Sequence, residues 1–516
     1  MRDEPTDGWG TGPAALRQSL LARRDWLRVG ALTVAAQAVP ASWLAAPWLN
    51  RASGEDSVAG AKDGNRAPES VAKSTPENSP ENSPERVAGR ARSVVVLWMA
   101  GGVTHIDSFD PKPQAPVEVR GVLGDIATSL PGVRFCETMP RLAELAHELA
   151  VIRNFSHDSD DHLLSQVYTL SGRKVNQNQL FTEPNVGSVV SRLQGPRNGL
   201  PAYIAVPGIT RPGPPPHNLF VSGWLGSQHV PYCLGGLPEQ PDFAVGEKSY
   251  DPPAEADESL APASTSLGAD VPLSRLSRRV ELRASFDQAL RTLDRQDAMV
   301  AAESRYQDAL RLLTTPSVRS AFDLSTERPE VRERYGRTKI GGRCLMARRL
   351  VEAGARFILV DYGYDPDYGN VWDNHNAPVQ NHPPIQKMVF RGYHLAGMDK
   401  AFAALLGDLK DRGLLDSTLV VFLTEFGRTP KINANGGRDH WGKAGSIFLA
   451  GAKTRVGQVI GDTGPQAAAP TGHRYSPADV LATTYAAMGI DSRRVIQDFQ
   501  DRPRLILEEG RVIPEV

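Results

Sequence analysis

The chain has 516 residues, enough for a large buried core in one or two domains. Charge is balanced at 58 Lys and Arg against 59 Asp and Glu, which leaves no basic field for nucleic acid and no acidic solvating tail. Cys136, Cys233 and Cys344 stand far apart without a CxxC pair, so thiolate metal sites are not expected and at least one thiol stays unpaired within the chain.

The first stretch reads as an export signal. Arg23-Arg24-Asp25-Trp26-Leu27 carries a twin-arginine pattern, and an apolar run from Val29 to Leu49 follows it, interrupted by Gln37 and Pro40. Paired arginines before such a run predict a Tat-type signal over residues 1–49. An apolar run of roughly 20 residues could also span a bilayer as an uncleaved anchor. Pro40 and the many small residues favour cleavage. The expected location is periplasmic or extracellular, with the Tat machinery as a partner and the membrane touched only through an uncleaved signal. Residues 50–92 read as a linker, because the Pro-Glu-Asn-Ser repeat between Pro76 and Glu85 has nothing to bury.

A folded domain is expected over 93–516. Val94 to Met99 is a continuous β-branched and apolar run, the pattern of a strand covered on both faces. Gly101-Gly102 ends it and would let backbone approach a ligand, and Thr104, His105, Asp107 and Asp110 follow. Residues 138–150 have helical spacing, with Leu142, Leu145 and Leu149 on one face. A strand from Ala150 to Arg153 leads to His157, Asp158, Asp160, Asp161 and His162. A helix is expected over Leu163–Leu170, with Ser159 or Asp160 as its N-cap. Acidic first-turn residues explain Asp160 and Asp161 but not the two histidines.

The next segments carry less chemistry. Arg211 to Pro216 is Gly/Pro-rich, and residues 238–270 read as a polar insertion. Residues 272–314 read as a helical cover over the sheet. Glu330 to Gly354 is predicted as a helix stopped by Gly354. The strand Ala355–Val360 then opens a loop holding Asp361, Asp365, Asp367 and the unit Trp372-Asp373-Asn374-His375. A helix over Pro384–Arg412 precedes the strand Leu419–Thr424. That strand breaks into a polar loop with Glu425, Arg428, Lys431, Arg438, Asp439 and His440, and a further strand is expected over Ser446–Ala450. Ser476-Pro477 marks the start of a final helix.

This alternation argues for a doubly wound α/β domain whose mostly parallel sheet is flanked by helices. Parallel strands present their carboxyl ends on one edge, so the polar clusters at 101–110, 157–162, 372–375 and 425–440 can converge there. Rich in Asp, Glu and His, they suit divalent metal with O and N ligands, Zn or Mn rather than Ca or Mg. Two such ions side by side would clamp a transferring phosphoryl-type group.

The stretches AGGVTHIDSFDPKP, CLMARRLVEAGARFILV, WDNH and TEFGRTPKINANGGRDHW resemble the DUF1501 family of exported proteins, from about Ser93 onward. The family is grouped with alkaline phosphatases and sulfatases. The resemblance implies an alkaline phosphatase-like fold, metal ligands at strand ends, and hydrolysis or transfer of phosphate or sulfate esters. The substrate would be an anionic ester, for instance one carried on a glycan. By position, Glu425 and His440 with Asp439 look like metal ligands, with Phe426 where a sulfatase carries a ligand His. Asp373 and His375 resemble the ligands of the other metal, and Asp107 the first-strand carboxylate. Tyr168 to Arg173 resembles the helix after a sulfatase nucleophile, which puts that position near His162, with Thr104 and Ser165 as the hydroxyl alternatives. No Cys-x-Pro-x-Arg signature is present, so a formylglycine sulfatase is not expected. Arg428, Lys431 and Arg438 are the candidates for holding an anion, Arg in bidentate fashion. The alternative reading is a non-catalytic, metal-stabilised envelope binding protein on the same fold.

Overall fold

In a computed structural model of the chain, the structure describes residues 89–208, 222–234, 260, 278, 297–365, 368–375 and 384–516. The export segment, the linker up to residue 88, Arg211 to Pro216, Asp367, the insertion apart from Leu260, and the start of the helical cover apart from Arg278 lie outside the described residues. All described residues belong to one unit, Ser83–Val516.

Eight strands form the central sheet: β1 Ser93–Trp98, β2 Ala150–Phe155, β3 Tyr203–Val206, β4 Tyr232–Cys233, β5 Phe357–Asp361, β6 Thr418–Leu423, β7 Gly445–Gly451 and β8 Gln458–Ile460. Their spatial order is β8-β2-β7-β6-β1-β5-β3-β4. β1 pairs in parallel with both β6 and β5, in register Val94 to Leu419 and Val94 to Phe357. β7 alone runs against its neighbours β6 and β2. A parallel return needs a crossover, normally a helix. The span from Thr424 to Ala444 contains none, so β7 comes back beside β6 as an antiparallel strand.

Six helices of eight or more residues are described: α1 His162–Ser171, α2 Val186–Gln194, α3 Asp297–Thr314, α4 Lys339–Ala353, α5 Leu395–Asp411 and α6 Pro477–Ala487. They cover both sheet faces because successive strand side chains point to opposite sides. Val95 and Leu97 pack with Ile340 and Leu350 of α4 and with Phe402 and Leu405 of α5. Val94, Val96 and Trp98 pack with Val167 of α1, Val189 of α2 and Tyr485 of α6. Each such buried side chain contributes about 1.5–3 kcal/mol, so β1, buried along its whole length, is tied firmly into both layers.

Several predicted helices are shorter than their periodicity suggests. The 138–150 helix is a helical turn at Pro140–Glu144 and a 3-10 turn at Ala146–Glu148, where Ser129 Oγ accepts the His147 N–H at 3.0 Å. The 330–354 helix splits at Gly336, which sits at φ +80, and Thr338 caps the second half. Gly354 ends it in the left-handed region as expected. The 384–412 helix divides into Ile385–Met388 and α5, because the intervening turn folds onto the start of α5. A Cβ on Gly397 would lie 1.7 Å from the Gly392 carbonyl oxygen. The N-cap of α1 is Asp161, which accepts the Leu164 N–H at 2.9 Å. The Asp160 carboxylate is occupied instead by the Gly442 N–H at 2.6 Å.

Candidate functional site

β1 lies between β6 and β5, so the chain leaving it meets the loops that follow both neighbours. The Gly101 N–H donates to both carboxylate oxygens of Glu425, at 2.8 and 2.8 Å. Gly101 has φ +123, and a Cβ there would lie 2.9 Å from the Trp372 Cβ. The glycine is therefore required by loop packing over the strand end. Glu425 is fully buried. Its Oε1 lies 2.8 Å from His162 Nδ1 and accepts from Gln166 Nε2 at 3.4 Å. His157 Nε2 donates to the Glu425 carbonyl. One residue thus joins the ends of β1 and β6 to the first turn of α1.

His162 Nε2 points the other way and lies 3.2 Å from Asp373 Oδ2. Asp373 Oδ1 receives Arg428 Nη2 at 2.8 Å, His375 Nδ1 at 2.7 Å and His440 Nε2 at 3.1 Å. His440 Nδ1 sits 3.1 Å from the Asp160 carbonyl oxygen. His440 comes from a two-residue ladder in which Gly427-Arg428 pairs with His440-Trp441. One nitrogen each of His162 and His440 and one oxygen of Asp373 lie within 4.8 Å of one another, a spacing that could hold a metal ion. The Phe426 ring packs on both imidazoles, with centroids 5.1 Å from His162 and 5.1 Å from His440.

The electrostatics follow from this burial. Desolvation pulls the His162 imidazole down, but the carboxylates of Asp373 and Glu425 outweigh it and raise its pKa to about 9. Burial opposes ionisation of Asp373, yet His162 and Arg428 hold its carboxyl well below the usual range. His440 is shifted down by burial, against the bond to Asp373. His157 is also lowered by burial, against its bond to the Glu425 carbonyl.

The other predicted residues lie elsewhere or are engaged otherwise. Asp107 forms a separate buried pair with Arg438, whose Nε and Nη2 donate to its two oxygens at 2.8 and 3.0 Å. The Thr104 hydroxyl donates to Asp107 Oδ2 at 2.8 Å. Ser165 Oγ donates to the Ser159 carbonyl at 3.1 Å. Arg428 is fully buried, donating to the carbonyls of Gly101, Gly102, Trp372 and Arg438 besides Asp373. Asp439 and Lys431 are exposed, and Asp439 Oδ1 accepts from Asn433 Nδ2 at 2.9 Å. His157, which stands in the 157–162 cluster without an assigned role, bonds the Glu425 carbonyl, and Gln166 is not singled out from sequence. Gln166 stands four residues after His162, the helical spacing that puts both on one face of α1, and that signal was available.

The fold and this centre define a doubly wound α/β protein with a buried His/Asp cluster at the strand ends. The chain belongs to the DUF1501 family, described as a protein of unknown function, which it matches over residues 91–516. No curated protein matches it. Among solved structures it is similar to the PsFucS1 sulfatase from Pseudoalteromonas sp., at 13% identity over 77% of this chain and 68% of that one, TM-score 0.33. It is also similar to the lipoteichoic acid synthase LtaP from Listeria monocytogenes, at 9% identity over 80% and 76%, TM-score 0.33. A third is the C-terminal periplasmic domain of EcEptC from Escherichia coli in complex with Zn, at 11% identity over 77% and 82%, TM-score 0.33.

Proposed function

We propose that this protein is an exported, metal-dependent hydrolase of phosphate or sulfate esters of the alkaline phosphatase-like class. One observation carries the reading. His162 and His440 each engage Nδ1 with a neighbour, the Glu425 carboxylate and the Asp160 carbonyl, and aim Nε2 at the same Asp373 carboxylate. A histidine with one nitrogen anchored by a carboxylate or carbonyl presents the other as a metal ligand. The buried His162 Nε2 makes no hydrogen bond of good geometry, which fits an atom reserved for an ion. Two imidazoles and a carboxylate suit Zn or Mn better than Ca or Mg.

A divalent ion held by His162, Asp373 and His440 would supply Lewis acidity and positive charge to an anionic ester. The chain's own residues set the rest. Thr104 and Ser165 direct their protons to Asp107 and to the Ser159 carbonyl, so the attacking group is assigned to water rather than to either hydroxyl. His375, half-exposed and tied by Nδ1 to Asp373, can hold or deliver a proton at the rim. Lys431 is the exposed cation of the 429–438 loop available to an anionic substrate, free or on a glycan, whereas Arg428 and Arg438 are neutralised internally.

That same neutralisation favours the second reading, a metal-stabilised envelope binding protein without turnover. The test is the full chain purified with zinc or manganese and assayed on 4-nitrophenyl sulfate and phosphate. Bound metal with chelator-sensitive turnover, both lost in His440→Ala, is the expected result. Stoichiometric metal without turnover would select the binding protein, and no metal in the parent chain would sink both readings. Export is expected to fail when Arg23 and Arg24 are both changed to Lys.

A further inference from the structure

We infer that the centre holds one divalent ion rather than two, and that Glu425 is not a ligand but the positioning residue that holds His162 to it. The inference rests on the metal-binding reading above.

The Glu425 carboxylate is already engaged at both oxygens by groups of the chain. It is fully buried, and Oε2 accepts the Gly101 N–H while Oε1 takes Gly101, His162 Nδ1 and Gln166 Nε2. Its position behind the imidazole, on the side away from Asp373, is that of a carboxylate that fixes the tautomer and raises the basicity of a ligand histidine. Paired ions lie about 3.5–4 Å apart and each needs its own donors. Beside His162 and His440 stands the Phe426 ring, which offers carbon. Asp373 Oδ1, the oxygen that faces His440 and His375, already carries a fixed cation, the Arg428 guanidinium at 2.8 Å, whose carbon lies 5.6 Å from the Phe426 ring centroid. Asp107 is committed to Arg438. Arg428 and Phe426 thus take the charge and the space on the inner side. His375 at the rim, its Nδ1 tied to Asp373 Oδ1 at 2.7 Å, offers a single further imidazole nitrogen, short of the donor set of a second ion.

The experiment is zinc loading of the full chain, read by elemental analysis and by competition with a chromophoric chelator. One zinc per chain is expected. Glu425→Gln keeps an acceptor for His162 Nδ1 but removes the charge, so it should keep one zinc with affinity weakened roughly 10- to 100-fold. Its cobalt(II)-substituted absorption bands should stay in place, because the ligand set is unchanged, whereas those of His162→Gln should move. Two zinc ions in the parent chain, falling to one in Glu425→Gln, would overturn the inference. So would unchanged affinity in that variant, or shifted cobalt bands. Should Glu425→Gln fail to fold, the imidazole 15N shifts of the zinc-loaded parent decide instead. Zinc on Nε2 of His162 with a protonated Nδ1 supports the assignment, and zinc on Nδ1 refutes it. A parent chain that binds no zinc fails at the underlying reading, a result distinct from all of these.

Discussion

Arg428 and Lys431 stand three residues apart in one loop, and the fold gives them opposite environments. Arg428 is buried and uses its whole fork on four carbonyls and Asp373, while Lys431 is exposed. Lysine cannot reproduce that planar fork. Arg428→Lys is therefore expected to cost about 2–4 kcal/mol of stability, since it leaves buried acceptors unpaired. Lys431→Ala should stay within about 0.5 kcal/mol. Urea unfolding of both variants checks the contrast, and equal effects would show that Arg428 is not structurally committed. The charge of these residues was legible in the sequence, but their burial was not. Asp107 and Arg438 meet across 331 positions, and no local pattern announces such a pair. The same holds for His162, whose two carboxylate partners come from loops 211 and 263 residues further on.

At the scale of elements, helix boundaries were decided by partners from elsewhere in the chain. Asp399 of α5 is one such partner. Its carboxylate accepts the N–H groups of Arg141 and Leu142, docking the short 140–144 helix onto α5. Burial pushes the Asp399 pKa up to about 6, against the pull of those N–H bonds. The folded state thus binds this proton more tightly than the unfolded chain does. Its stabilising contribution is complete below pH ~4 and is lost as pH rises through ~6. Stability should fall by on the order of 2 kcal/mol across that window relative to Asp399→Asn, whose profile lacks the step. Denaturant midpoints at pH 4, 5, 6 and 7 provide the measurement, and parallel profiles would refute it. Where a boundary was set by local chemistry, it was readable. Ser476 caps α6 with its Pro at the first position and a reciprocal bond from Asp479, and Gly354 stops α4.

For the whole molecule, the centre joins β1, β5, β6 and α1 through loops, and a bound ion would link them further. Ligand bound only by the folded state stabilises by mass action, about 2.7 kcal/mol at a hundredfold excess over Kd. Zinc at that excess should raise the thermal midpoint by ~2–5 °C, and chelation should reverse it. His440→Ala should abolish the shift. An equal shift in that variant would place the ion elsewhere. Among the described residues no helix is long and apolar enough to cross a membrane.

The sequence by itself determined the layered α/β fold. Strands buried on both faces, such as Val94 to Trp98, must be continuously apolar, and glycine or serine marks the ends of helices that no distant contact interrupts. It also determined that acid and imidazole gather after the strands, because strand ends break into polar loop. Only the tertiary structure decided which of these groups meet. It set Asp373 between His162 and His440, placed Glu425 behind His162, and paired Asp107 with Arg438 in a separate buried cluster. It also reversed β7, for want of a crossover helix. The physical reason is common to all of these. Side-chain convergence depends on loop paths between distant strands, and those paths are selected by buried hydrogen bonds and charge pairs that exist only once the chain has folded.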